Sequence, residues 1–120
     1  LKVGGAFHSP LMANAAQGLR AWLDRSCLKT PSLPLYANQT ALPYGEGAVS
    51  LLAHQADHPV LWEQTVRNMV RDGADLFVEL GPGTVLSGLI GKIAPEAAVC
   101  HVENAASLRD AISLLEGRDA

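Results

Sequence analysis

The chain has 120 residues, a formal net charge of −3, 48% hydrophobic and 18% charged residues. This much apolar material excludes an intrinsically disordered chain, and the length suits one domain. No run approaches the roughly 18 uninterrupted apolar residues of a membrane span, and the nine Lys and Arg residues are scattered, so neither a membrane nor a nucleic-acid partner is expected.

Ser9-Pro10 marks a helix start, with Ser9 as N-cap and Pro10 at the first helical position. Leu11, Met12, Ala15, Ala16, Leu19, Trp22 and Leu23 then recur in steps of three and four as one buried stripe. Pro31 to Pro34 ends that helix, and Leu33-Pro34-Leu35-Tyr36-Ala37 reads as a short strand with its proline near the beginning. Residues 38–46 are rich in turn formers and read as a loop. A helix is expected from about Val49 to Gln55, and another from Pro59 to a C′ glycine at Gly73. Leu76-Phe77-Val78-Glu79-Leu80 is the clearest strand, nearly continuous in apolar character, as strands buried on both faces are. Gly81-Pro82-Gly83 turns the chain, and Thr84 is placed to cap a helix carrying Val85, Leu86, Leu89, Ile90 and Ile93. Ala98-Val99-Cys100-His101-Val102 is the last strand, and Ser107 with Asp110 forms a capping signal for a final helix.

Alternating strands and helices with tight turns after the strands predict a parallel α/β layer. Three strands alone would leave apolar faces and an edge open, so the pattern reads as part of a larger sheet. Cys27 and Cys100 have no C-x-x-C spacing and are expected to be reduced, buried thiols of a cytoplasmic protein. No targeting signal is visible, and a start inside an apolar segment without an initiator Met reads as a cut.

Among residues able to carry chemistry, His54 and His58 stand at i, i+4. Pro59 disfavours helical geometry at His58, the only nearby carboxylate is Asp57, and no third ligand has convincing spacing. Surface or capping histidines, and no metal, are therefore expected there. His101, in a strand, reads as an ordinary partly buried imidazole. Gly81-Pro82-Gly83-Thr84 fits neither phosphate-binding fingerprint, because it lacks the lysine of one and has Leu86 at the sixth position of the other. His8 is different. It lies between Gly4-Gly5 and a helix start, a junction that holds an imidazole rigidly yet accessibly, as a general base requires. A purely structural His8 is the competing reading on these grounds alone.

Three segments together resemble the malonyl-CoA:acyl-carrier-protein transacylases and related acyltransferase domains: Gly5-Ala6-Phe7-His8-Ser9-Pro10-Leu11-Met12, His58-Pro59-Val60-Leu61-Trp62, and Val78-Glu79-Leu80-Gly81-Pro82-Gly83-Thr84-Val85-Leu86-Ser87-Gly88-Leu89. The resemblance implies an α/β fold: part of a parallel-sheet, α/β-hydrolase-like acyltransferase core in three layers. Residues 1–120 would form the C-terminal portion of its large subdomain. It further implies a Ser-His ping-pong transfer of malonyl from coenzyme A to the phosphopantetheine thiol of acyl carrier protein, in fatty-acid biosynthesis, with no resident cofactor. His8 would be the base, oriented by the backbone carbonyl of Gln55 rather than by a carboxylate. Phe7 would line the acyl pocket and disfavour α-methyl branches by occupying their volume. Arg67 and Arg71, at i, i+4, offer a weaker carrier-protein docking face.

None of the seven serines lies in a G-x-S-x-G elbow. The nucleophile and most of the ferredoxin-like subdomain are expected in a missing N-terminal part, and the chain is expected to be inactive alone. A trans-acting polyketide acyltransferase, a malonate-pathway transacylase piece and a non-catalytic α/β interaction fragment remain the alternatives.

Overall fold

The structure is a computed structural model that describes residues 4–118. It divides into two compact units, the first reaching to Thr65 and the second starting at Val66. Among the described residues no helix is long and apolar enough to cross a membrane.

The first unit opens with a 3-10 turn, Pro10–Met12, that runs into helix α1, Ala13–Leu23. Ser9 does stand at the N-cap, but its side chain makes no capping bond; its hydroxyl donates to the Ala6 carbonyl at 2.7 Å. The hydroxyl therefore closes the turn before the helix instead of serving the helix's free amides. Helix α2, Ala48–His54, packs against α1, with Ala16, Leu23 and Ala53 buried. Leu11 and Trp22, expected in the buried stripe, are exposed. So is Cys27, expected inside; both cysteines are free.

The strand expected at residues 33–37 does not form. Tyr36 makes a single antiparallel bridge to Pro43, and the Ala37 amide closes the turn on the Leu42 carbonyl at 2.9 Å. Pro34 and Pro43 each lack the amide hydrogen a longer ladder would need, so the pairing stops at one bridge. Helix α3, Trp62–Arg71, begins three residues later than the Pro59 signal suggested. The Leu61 amide is committed to the Asn38 carbonyl at 2.9 Å, which ties down the segment before the helix. The boundary between the two units falls inside α3. Its end matches expectation: Gly73 has a φ of 105°, its amide bonds Val70, and the Ala74 amide bonds Met69, the paired closure of a Schellman motif.

The second unit is a β-α-β-α run: β1, Leu76–Leu80; α4, Val85–Ile93; β2, Ala98–Val102; and α5, Ala105–Glu116. The strands are parallel and in register from Leu76 opposite Ala98 to Leu80 opposite Val102. Helix α4 packs on both strands and α5 on β2, with Ile90, Ala94 and Ala111 buried. Two strands are observed where three were expected among the described residues, and β1 is not buried on both faces, since Leu80 is 78% exposed.

The turn after β1 uses glycine at φ values of 135° at Gly81 and 85° at Gly83, a region that L side chains enter only at a cost. Thr84 precedes α4 but makes no side-chain cap. Glu79 takes that role from the strand: its carboxylate accepts from the Ser87 hydroxyl at 2.6 Å, the Ser87 amide at 2.8 Å and the Leu86 amide at 3.1 Å. Negative charge beside a helix's first amides is favourable. These Ser87 bonds, chiefly, hold the Glu79 carboxyl below its usual range. A lowered carboxyl stabilises the fold above the unfolded-state pKa and loses that contribution as pH falls through the folded value. Glu79→Gln should therefore lower Tm at pH 7, and the gap should close in acid; a gap independent of pH, read by thermal melts, would remove the charge from this account.

The capping signal for α5 sits one turn earlier than expected. Asn104, not Ser107, is the N-cap: its side chain accepts from the Ala106 and Ser107 amides, and the Ser107 hydroxyl accepts from the Asn104 amide at 3.1 Å. Ser107 thus occupies the position of the acidic partner in a capping box.

Candidate active site

His8 sits in the left-handed region at a φ of 61°, uncommon for any residue but glycine. Such a conformation costs of order 1 kcal/mol and persists only where neighbours hold it. Two bonds do so. The His8 amide donates to the Ala56 carbonyl at 2.8 Å, and Nδ1 of its ring lies 2.9 Å from the Gln55 carbonyl oxygen. A carbonyl can only accept, so Nδ1 carries the hydrogen and the lone pair of the neutral ring lies on Nε2. The ring is exposed, which leaves Nε2 accessible.

Both carbonyls come from the turn that ends α2. Gln55 keeps helical dihedrals, φ −63° and ψ −23°, and its amide still bonds Leu51 at 3.1 Å. Because this final turn has no following helical residues to use its carbonyls, they are free to serve His8. The Gln55 side chain is held separately: its Oε1 accepts from Nδ2 of Asn38 at 3.3 Å. Asn38 therefore ties the 38–46 loop to the base of the site through its side chain, and to the segment before α3 through its carbonyl. Asn38→Ala should cost about 0.5–1.5 kcal/mol, the value of one such bond. A Tm equal to wild type would show that the contact contributes nothing.

Phe7 is 64% exposed, so its ring is not part of the packed interior of this unit. Gly5 makes room for it: a Cβ there would come within 3.1 Å of the Phe7 ring. His101 is half-buried in β2 opposite Glu79. Arg71 is engaged by its neighbours, donating to Asp72 at 3.0 Å and Asn68 at 3.1 Å, and Arg67 also has partners. Neither arginine is an uncommitted charge. Asn38 and the Ala56 carbonyl are the contributors that sequence reasoning missed. An asparagine in a turn-rich loop was the only signal for the first, and a backbone acceptor has none.

No family model matches the chain. Individual proteins do. It is 40% identical over 97 residues to the polyketide biosynthesis malonyl CoA-acyl carrier protein transacylase BaeC of Bacillus velezensis, covering 80% of this chain and 34% of that protein. It is 34% identical over 118 residues to the malonyl CoA-acyl carrier protein transacylase of Bacillus subtilis, covering 97% of this chain and 37% of that protein. Among solved structures, the malonyl CoA-acyl carrier protein transacylase of Clostridium perfringens superposes with a TM-score of 0.94 at 30% identity, over 99% of this chain and 38% of that one. By sequence and by fold, the chain is a relative of the malonyl-CoA:acyl-carrier-protein transacylases. It spans about a third of the length of each of these two curated relatives. The likeness of fold confirms the α/β class expected from the transacylase resemblance.

Proposed function

We propose that the protein transfers malonyl from coenzyme A to the phosphopantetheine thiol of acyl carrier protein, with His8 as general base and no resident cofactor. The observation that carries this reading is the bond from Nδ1 of His8 to the Gln55 carbonyl, which leaves Nε2 as the basic nitrogen on an exposed ring. The reading assigns the nucleophilic serine to sequence outside these 120 residues, which would then be the C-terminal portion of the large acyltransferase subdomain of a cytoplasmic enzyme.

Nε2 takes the serine proton as the hydroxyl oxygen attacks the thioester carbonyl. Collapse of the tetrahedral adduct breaks the carbon–sulfur bond, and the imidazolium returns its proton to the departing thiolate of coenzyme A. In the second half, Nε2 deprotonates the carrier protein's thiol, which attacks the acyl ester; the serine oxygen leaves and recovers the proton. Throughout, Nδ1–H stays on the Gln55 carbonyl, so the ring keeps one tautomer and one orientation. A neutral carbonyl stabilises the imidazolium less than a carboxylate would, which favours prompt return of the proton in each half-reaction. Phe7, beside the base, fills the volume that an α-methyl group of the acyl chain would need.

Fatty-acid and polyketide assembly share this chemistry and differ in the carrier protein. Incubation of the full-length protein with malonyl-CoA and purified holo carrier proteins from each pathway tests the reading. Malonylated carrier protein is the expected product, and the preferred carrier assigns the pathway. Absence of transfer to any carrier would leave the chain as an interaction fragment.

A further inference from the structure

A second cluster lies on the same turn. Among the described residues, His54, Asp57 and His58 are the only group of three or more metal-ligating side chains whose ligand atoms converge, all within 4.8 Å of one another. The sequence speaks against a metal here because Pro59 disfavours helical geometry at His58 and no third ligand, Asp57 included, has convincing spacing. The chain instead keeps turning through Gln55 to Asp57 after α2 ends, which brings Asp57 between the two imidazoles. Nδ1 of His54 lies 3.2 and 3.3 Å from the two Asp57 oxygens, and Nδ1 of His58 lies 2.7 Å from Oδ1. Tetrahedral coordination with bonds of about 2.0–2.2 Å separates neighbouring ligand atoms by about 3.3–3.6 Å, so the two carboxylate–imidazole pairs need to spread by less than about 1 Å and the two imidazoles, within 4.8 Å of each other, to close by no more than about 1.5 Å. Nδ1 of His58 also lies 3.0 Å from the His54 carbonyl, a contact the ring gives up when it presents a nitrogen to an ion.

We propose that His54, Asp57 and His58 form a site for a divalent transition-metal ion. Two imidazoles with one carboxylate suit zinc, nickel or copper over magnesium or calcium, which prefer oxygen ligands. The Asp57 side chain is 10% exposed and so is fixed, whereas those of His54 and His58 are 42% and 41% exposed and leave an entry path and room for water ligands. The three ligands bracket Gln55 and Ala56, whose carbonyls hold His8. An ion bound across residues 54–58 would stiffen the segment that orients the imidazole, a consequence separate from the transfer chemistry itself.

The test uses the full-length protein freed of metal by chelation and dialysed against Zn2+ alone. Wild type should bind one more Zn2+ per chain than the double variant His54→Asn, His58→Asn, and Asp57→Asn should weaken that site at least about tenfold. Ring-proton NMR signals of His54 and His58 should both shift on Zn2+ addition to wild type, a readout that does not depend on any variant folding. Equal Zn2+ uptake by wild type and the double variant, or ring signals that do not move, would overturn the site and leave a hydrogen-bonded cluster.

Discussion

Replacing His8 by alanine in the full-length protein should cut malonyl transfer by at least about a hundredfold, the usual value of a positioned base. Both half-reactions should suffer, because the same Nε2 serves the serine and the carrier thiol. The substitution also removes the ring whose bond to the Gln55 carbonyl helps hold the φ of 61°, a conformation that histidine and asparagine enter more readily than alanine, and so loosens the junction. His8→Asn separates the two effects. Asparagine tolerates the left-handed region and retains the amide that bonds Ala56, yet offers no basic nitrogen. It should therefore melt close to wild type and be as inactive as the alanine variant. Near-normal turnover in either would remove His8 from the mechanism and return it to a structural role at the turn.

Phe7→Ser should raise transfer of α-methyl-branched acyl groups relative to malonyl, by up to about 10–200-fold, the range that one methyl in a pocket supports. A ring that is 64% exposed contributes little to the interior of its own unit, so the change should act on selectivity with little effect on Tm. The ratio of kcat/KM for methylmalonyl-CoA and malonyl-CoA is the measurement. An unchanged ratio, with Tm lowered, would make Phe7 a packing residue.

The strands of the second unit were legible from the sequence because local and tertiary preferences agree there. Leu76–Leu80 and Ala98–Val102 are five-residue runs, apolar but for Glu79 and His101, and both appear with the bounds the sequence predicts. Residues 33–37 looked similar, yet Pro34 and the facing Pro43 reduce the pairing to one bridge, a constraint visible only once the partner is known. Caps were the least legible feature. Ser9, Thr84 and Ser107 all stood where a cap is plausible, but Ser9 bonds backward, Glu79 reaches across from a strand to replace Thr84, and Asn104 takes the place before Ser107.

The site divides the same way. His8 stands out by its glycine-rich approach and helix junction, and Gln55 followed from the transacylase resemblance, its carbonyl lying 2.9 Å from the ring. The Ala56 carbonyl and Asn38 could not be read, since the first acts through its backbone and the second through a contact 17 residues away in sequence. For His54 and His58 the sequence shows the i, i+4 spacing, Asp57 as the nearby carboxylate and Pro59 as a break, but not the turn after α2 that brings Asp57 between the two rings.

The central claim is that His8 activates a serine to carry the malonyl group. Mass spectrometry of the full-length protein after brief exposure to malonyl-CoA, with peptide mapping of the adduct, tests it most directly. The account predicts one malonyl ester on a serine outside residues 1–120, formed rapidly in wild type and barely at all in His8→Asn. A malonyl ester that forms at the same rate without His8, or no covalent adduct in a protein that still transfers malonyl, would contradict it.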